Sequence, residues 1–255
     1  MTGTSTTTGR SGRPLHGEPL LERAFRVLTA FADAGDGLPL HALAARAGLP
    51  KSTTSRIAAQ LMSVGALERL DNGDFVVGLQ LLEIASLAPR GHGLRAAALP
   101  FMQDLHQVTH QHILLAVRDG HEAVLVERLS ARNATAVKYR IGGRLPLTET
   151  GIGVALLAYA PEQVREEALA GATDANHLRR LMATIRGEGV CAMTGSNPLR
   201  TGPTTMSTVA APILNRRGES LGALSLVAPD EGGPQLAARI ALRTASLAIS
   251  RTVGR

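Results

Sequence analysis

The chain of 255 residues holds one cysteine, no tryptophan, two tyrosines and four phenylalanines. A lone thiol, Cys191, excludes an internal disulfide framework and a cysteine-rich zinc site. Aromatics make up only 2% while hydrophobic residues reach 44%, so the cores must be packed from Leu, Ala, Val and Ile. No run of 18 apolar residues occurs, so neither a spanning helix nor a membrane partner is expected. The opening MTGTSTTTGRSGRPLHGEP lacks the apolar stretch of a signal peptide; residues 1–18 read as a disordered tail and the protein as cytoplasmic. No Gly-rich phosphate loop, G-x-S-x-G elbow or H-E-x-x-H helix is present, and no cofactor is expected. Basic residues outnumber acidic ones by 27 to 21, a net +6 that is compatible with a polyanionic partner. The excess is nine to eight up to residue 90 and eighteen to thirteen beyond, so bulk charge does not locate that partner.

The most telling absence is local. No carboxylate occurs from Pro50 to Ala66, inside the stretch LPLHALAARAGLPKSTTSRIAAQLMSVGALERLDNGDFVVG that runs from residue 38 to 78. Leu40, Leu43, Ala44 and Ala47 repeat at helical spacing, and Gly48 follows, a residue that tolerates the positive φ of a tight interhelical turn. A second helix starts around Pro50 or Lys51, with Thr54, Ile57, Ala58 and Leu61 as its buried stripe. Its other face carries Lys51, Ser52, Thr53, Ser55, Arg56 and Gln60. An ordinary solvated helix mixes Glu and Lys at i,i+4 spacing; a face of hydroxyls, an amide and cations suits a phosphate-lined groove, where Arg reads guanine edges. After Gly65, the runs 67–70 and 75–78 flank Asp71-Asn72-Gly73-Asp74, a strong hairpin signal. The unit reads as a helix-turn-helix with a β wing, in which Arg69 and Asn72 are candidates for the sugar-phosphate backbone or minor groove. Double-stranded operator DNA is the expected partner.

Residues 20–78 resemble the DNA-binding domain of the IclR family of bacterial transcriptional regulators. The resemblance is carried by LERAFRVLTAFADAGDGLPL, LAARAGLPKSTTSRIAAQL and VGALERLDNGDFVVGLQLLEIA, and it continues to the end of the chain. It implies a C-terminal GAF-like effector-binding domain, dimers or dimers of dimers, small organic-acid or aromatic effectors, and repression as the commoner outcome.

The rest of the chain divides accordingly. Residues 19–79 are expected to form the winged domain, 80–93 a linker helix and hinge centred on Pro89-Arg90-Gly91-His92-Gly93, and 94–255 the effector-binding and oligomerisation domain. Helical periods cover 20–34, 79–87, 94–109, 151–160, 161–170, 177–186 and 235–253, and strand-like runs cover 112–118, 123–130, 134–139, 208–214 and 220–227. The fold class is therefore α+β, with one central antiparallel sheet in the second domain. By the resemblance, Thr150 and Gly153 in RIGGRLPLTETGIGVALLAYAP open a helix at the effector pocket, where N–H groups favour a carboxylate. Thr208 and Ser225 in STVAAPILNRRGESLGALSLVAP would present hydroxyls from the pocket floor. The chain departs from the family pattern at Val154, often Lys, at Val227, often Ser, and across 189–210, which lacks the usual acid and carries Arg200. Two rivals stay open: an enzyme using Cys191, and a metal sensor using His106 and His110 with His112 and His121 nearby.

Overall fold

The computed structural model describes residues 18–32, 34–35, 37–130, 140–195, 205–230 and 236–254. The expected tail, the expected strand at 134–139 and Arg200 lie outside them. The chain divides into two compact units, residues 1–87 and 88–255.

Unit 1 begins with α1 (Leu20–Thr29), α2 (Leu40–Ala47) and α3 (Lys51–Ser63). Gly48 closes α2 at φ +60°, a conformation that a side chain would strain. Arg26 of α1 clamps this corner. Its Nε and Nη2 donate to the Ala47 carbonyl at 3.0 and 2.7 Å, Nη2 also reaches the Gly48 carbonyl at 2.9 Å, and Nη1 pairs with Glu18. The carbonyls at a helix C-terminus have no helical donor and favour a cation. Arg46 repeats the device in the other direction, with Nη1 donating to the Ala30 and Ala32 carbonyls. The wing is β1 (Leu67–Arg69) paired antiparallel with β2 (Phe75–Val77), and Leu38 adds a bridge to Phe75 that the sequence reading missed. Val27, Leu43, Ile57, Ala58, Leu67 and Phe75 meet in one core. Then comes α4 (Leu79–Ser86), none of whose residues is buried.

Unit 2 opens with α5 (Pro89–Thr109). Residues 89–93, expected as a hinge, are its first turns. Pro89 sits at the helix start, where an absent N–H costs nothing, so Pro and Gly here punctuate less than they suggest. Next come β3 (His112–Asp119), β4 (Glu122–Leu129), β5 (Arg144–Pro146), α6 (Gly151–Leu157), α7 (Glu162–Gly171), α8 (Ala175–Glu188), β6 (Cys191–Gly195), β7 (Met206–Leu214), β8 (Ser220–Pro229) and α9 (Leu236–Val253). The strands form one antiparallel sheet ordered β5-β4-β3-β8-β7-β6. Neither β5 nor β6 is among the expected strand-like runs. One sheet face packs on α6 to α8 through Leu114, Ala116, Leu125, Ile152, Met182 and Ala210. The other packs on α5 and α9 through Met102, Ile113, Leu115, Val209, Leu224 and Leu242. With both faces covered, His112 to Val117 are all buried and no polar alternation marks β3.

Replacing Arg26 by Ala removes three charge-assisted bonds to carbonyls at a half-exposed site. Unit 1 should lose about 1–2 kcal/mol of stability, read as a lower denaturation midpoint with an unchanged slope. An unaltered midpoint would show that the clamp is not needed.

Candidate functional sites

Helix α3 turns two different faces outward and inward. Thr54, Ile57 and Ala58 are buried, and the Thr54 hydroxyl donates back to the Pro50 carbonyl at 3.1 Å. Lys51, Ser52, Ser55, Arg56 and Gln60 are exposed, and Thr53 is half-buried. Pro50 at the N-cap supplies no side-chain cap, and the first turn has no acid, so the positive end of the helix dipole is left to solvent beside Lys51. The wing residues are tied more closely to their own turn. Asn72 Oδ1 accepts from the Asp74 N–H at 3.0 Å, and its Nδ2 donates to the Asp74 carboxylate. Arg69 donates Nε to the Gly73 carbonyl at 3.0 Å and lies over the Phe75 ring, 5.5 Å from its centre.

The four residues singled out in the second unit come together. Thr150 caps α6: its hydroxyl accepts from the Gly153 N–H at 3.1 Å and donates to the Pro146 carbonyl at 2.8 Å. Gly151 lies so near β7 that a Cβ there would come 2.6 Å from Thr208 Cγ2. A Cβ on Gly153 would run into the Pro146 carbonyl, the Leu147 backbone and the Thr150 hydroxyl. The start of α6 is therefore pressed on Thr208, and Ser225 stands on the next strand, paired with Ala210. Ser225 shares the α6 face with Ala223 and Val227, is fully buried, and its Oγ has no hydrogen-bond partner among the described residues. Leaving such a group unsatisfied costs about 1–3 kcal/mol. One expectation changes: Thr150 already occupies the Gly153 N–H, so that donor is not held open for a ligand carboxylate.

Sequence reading named His112 only beside a candidate metal pair and missed Arg128 and Ser130, and all three share this face. His112, 2% exposed, pairs with Val227 across the β3–β8 ladder. Its Nδ1 lies 2.7 Å from Ser130 Oγ, which also accepts from Arg128 Nε at 2.7 Å. Arg128 and Ser130 follow a β-bulge in β4, which no periodicity in the sequence announces.

The rival chemistries find little support. Cys191 is wholly buried, and desolvation pushes its thiol up to about 12, the reverse of what a nucleophile needs. His106 Nδ1 bonds to the Gln111 carbonyl at 2.9 Å, His110 forms the left-handed C-cap of α5, and His112 lies on the α6 face of the sheet beside Ser130. Among the described residues no three of His, Cys, Asp and Glu converge as a metal cage.

A winged helix with an uncluttered basic face, in one chain with a module that buries hydroxyls beneath a helix, defines a DNA-binding regulator with a ligand-binding domain. The models of the IclR helix-turn-helix domain and of the bacterial transcriptional regulator IclR C-terminal domain match residues 20–71 and 88–251, and the chain belongs to the IclR family. It is thus a transcriptional regulator with an N-terminal DNA-binding domain and a C-terminal ligand-binding domain. The HTH-type transcriptional regulator XynR of Escherichia coli is 28% identical over 248 residues, covering 92% of this chain and 96% of that protein. The transcriptional repressor IclR of Escherichia coli is 27% identical over 146 residues, 56% of this chain and 53% of that protein. The crystal structure of an IclR homologue from Microbacterium hydrocarbonoxydans, complexed with 4-hydroxybenzoate, is 32% identical with a TM-score of 0.81. It covers 91% of this chain and 98% of that one. No helix among the described residues is long and apolar enough to cross a membrane.

The Cys191 thiol should resist thiol reagents near neutral pH and react only as the protein unfolds. Its pKa is raised from 9.0 in the folded state, so the unfolded chain ionises first and the folded form loses stability as pH rises above about 9. Cys191→Ala should flatten that alkaline decline; fast labelling of the native protein at pH 7 would contradict the burial argument.

Proposed function

We propose that this chain is a cytoplasmic repressor that binds a pseudo-palindromic operator as a homodimer, or as a tetramer built from dimers, and that a small organic or aromatic acid modulates its operator affinity. The observation that carries the reading is the exposed, carboxylate-free face of α3. Two copies lay their α3 helices in successive major grooves about one helical turn apart. Arg56 and Gln60 reach base edges, and Lys51, Ser52, Thr53 and Ser55 hold phosphates around the open N-terminus of the helix. Arg69 and Asn72 bring the wing against the sugar-phosphate backbone, Asn72 mainly by shaping the turn.

Dimerisation is supported by apolar side chains that unit 1 leaves bare. On α1, Leu21 and Phe25 are 73% and 66% exposed, and along α4 and its end Leu79, Leu82, Ile84 and Leu87 are all exposed. A second copy is the partner that a two-fold operator requires. The effector lies on the α6 face of the sheet, in contact with Thr150, Gly153, Thr208 and Ser225. The relative holding 4-hydroxybenzoate supports an acid of that kind. The effector works by favouring one spacing of the two heads over another.

In a gel-shift titration on DNA upstream of the protein's own coding region, Arg56→Ala should weaken specific binding by about 1–3 kcal/mol, roughly 5- to 150-fold. Unchanged affinity would remove Arg56 from the interface. The double variant Phe25→Glu/Leu82→Glu should sediment as a monomer with its thermal midpoint retained; a dimer in sedimentation velocity would refute the role given to these faces.

A further inference from the structure

We propose that the cavity between the free end of β7 and the last turns of α9 is a second ligand site, which takes an organic phosphate monoester with its head at Arg216 and Arg251. The cavity holds about 450 Å3, within the range of small-molecule sites. None of Thr150, Gly153, Thr208 and Ser225 lines it, so the proposal does not rest on the effector reading of the α6 face.

The cavity exists because β6 is shorter than its neighbour. β6 pairs with β7 only as far as Cys191 opposite Ala210, whereas β7 stays paired with β8 to Leu214. Residues 211–214 therefore present a strand edge towards α9. That edge is closed to another strand. Pro212 has no N–H to leave unpaired, and its carbonyl accepts from the Ser246 hydroxyl. The Leu214 N–H donates to Ser250 Oγ at 3.0 Å, and Ser250 in turn donates to the Ser246 carbonyl at 2.8 Å. With these groups satisfied by α9, the space beside them suits a small molecule better than an added strand.

The lining has a direction and a sign. Pro212, Leu214, Leu247 and the Tyr159 ring make an apolar wall. Burial raises the Tyr159 phenol above its ordinary range, with Arg186 opposing, so it stays neutral. Arg216 and Arg251 are the only charged residues of the lining, and no carboxylate offsets them there. The nearby acids are engaged elsewhere: Glu188 pairs with Arg239 at 2.7 Å, and Glu219 accepts from Asn215 Nδ2 at 2.7 Å. Neither Arg216 nor Arg251 has an ion-pair partner among the described residues. Both belong to one end of the cavity, because a Cβ on Gly254, one turn beyond Arg251, would lie 3.6 Å from the Arg216 nitrogen. Two positive charges at one end of an apolar wall call for both negative charges on one head. A phosphate monoester carries about −1.5 to −2 near neutral pH, and its oxygens suit guanidinium donors. From Ser246 to Gly254 the helix rises about 12 Å, which leaves room for a ring-sized body behind the head.

The test is calorimetric titration of the full-length protein with phenyl phosphate, inorganic phosphate and succinate, whose two charges sit apart. The wild type should bind one phenyl phosphate per chain, about ten-fold or more tighter than either other anion. Arg216→Gln/Arg251→Gln should weaken phenyl phosphate by about ten-fold or more, with the thermal midpoint unchanged as the check on folding. Leu247→Glu, which adds a carboxylate to the wall at a half-exposed position, should weaken it likewise. No binding by the wild type, or full affinity in the folded double variant, would overturn the site. Succinate or inorganic phosphate bound as tightly as the ester would overturn the class of ligand.

Discussion

A sheet covered by helices on both sides leaves little solvent to a hydroxyl, an imidazole or a guanidinium on either surface. That constraint governs the second unit. β3 lies at the centre with six consecutive buried residues, and its neighbours satisfy their backbone groups through the ladder. Side chains on the two surfaces are then filled mainly by Leu, Ile, Val and Ala. Thr150, Thr208, Ser225, Ser130, His112 and Arg128 all gather on the α6 surface against this expectation. Polar groups in such a layer are retained only where they bond to one another or to something that enters. The lone thiol shows the apolar half of the same rule, since burial there holds Cys191 neutral.

In the first unit the corresponding constraint is a corner. The left-handed backbone at Gly48 lets α2 and α3 cross, and Arg26 bonds the carbonyls that this corner exposes. The buried stripe of α3 then decides which residues face outward. Every side chain that α3 leaves exposed is thus placed by the residues of its buried stripe. The wing follows the same logic, because Asn72 and Arg69 hold the hairpin in shape before they hold anything else.

Much of this was legible in the residues. The helix-turn-helix has short-range signatures: the 3.6-residue stripe, a glycine where positive φ is needed, and Asn-Gly between two apolar runs. The α+β class and the antiparallel sheet followed from the change of period after Gln111. Three misreadings each have a physical cause. Residues 89–93 look like a hinge, yet Pro at a helix start loses no bond, so α5 begins there. Strand β6 is hidden because edge pairing with β7, and not its own composition, makes it extended. β5 went unread because three residues paired to an edge carry too little pattern.

Arg128 marks where sequence reasoning stops. A strand's facing is read by counting in twos, and a single unpaired residue at Val126 inverts the count for everything after it. Whether that inversion happens depends on Glu127 finding Arg95, 32 positions away in the chain, and on β3 accepting a shifted register. Local spacing by itself determined the winged head, its exposed α3 face and the class of the second domain, because those depend on contacts between near neighbours. Only the tertiary structure decided which side of the sheet Arg128, Ser130 and His112 occupy, because that choice is made by pairing between distant segments.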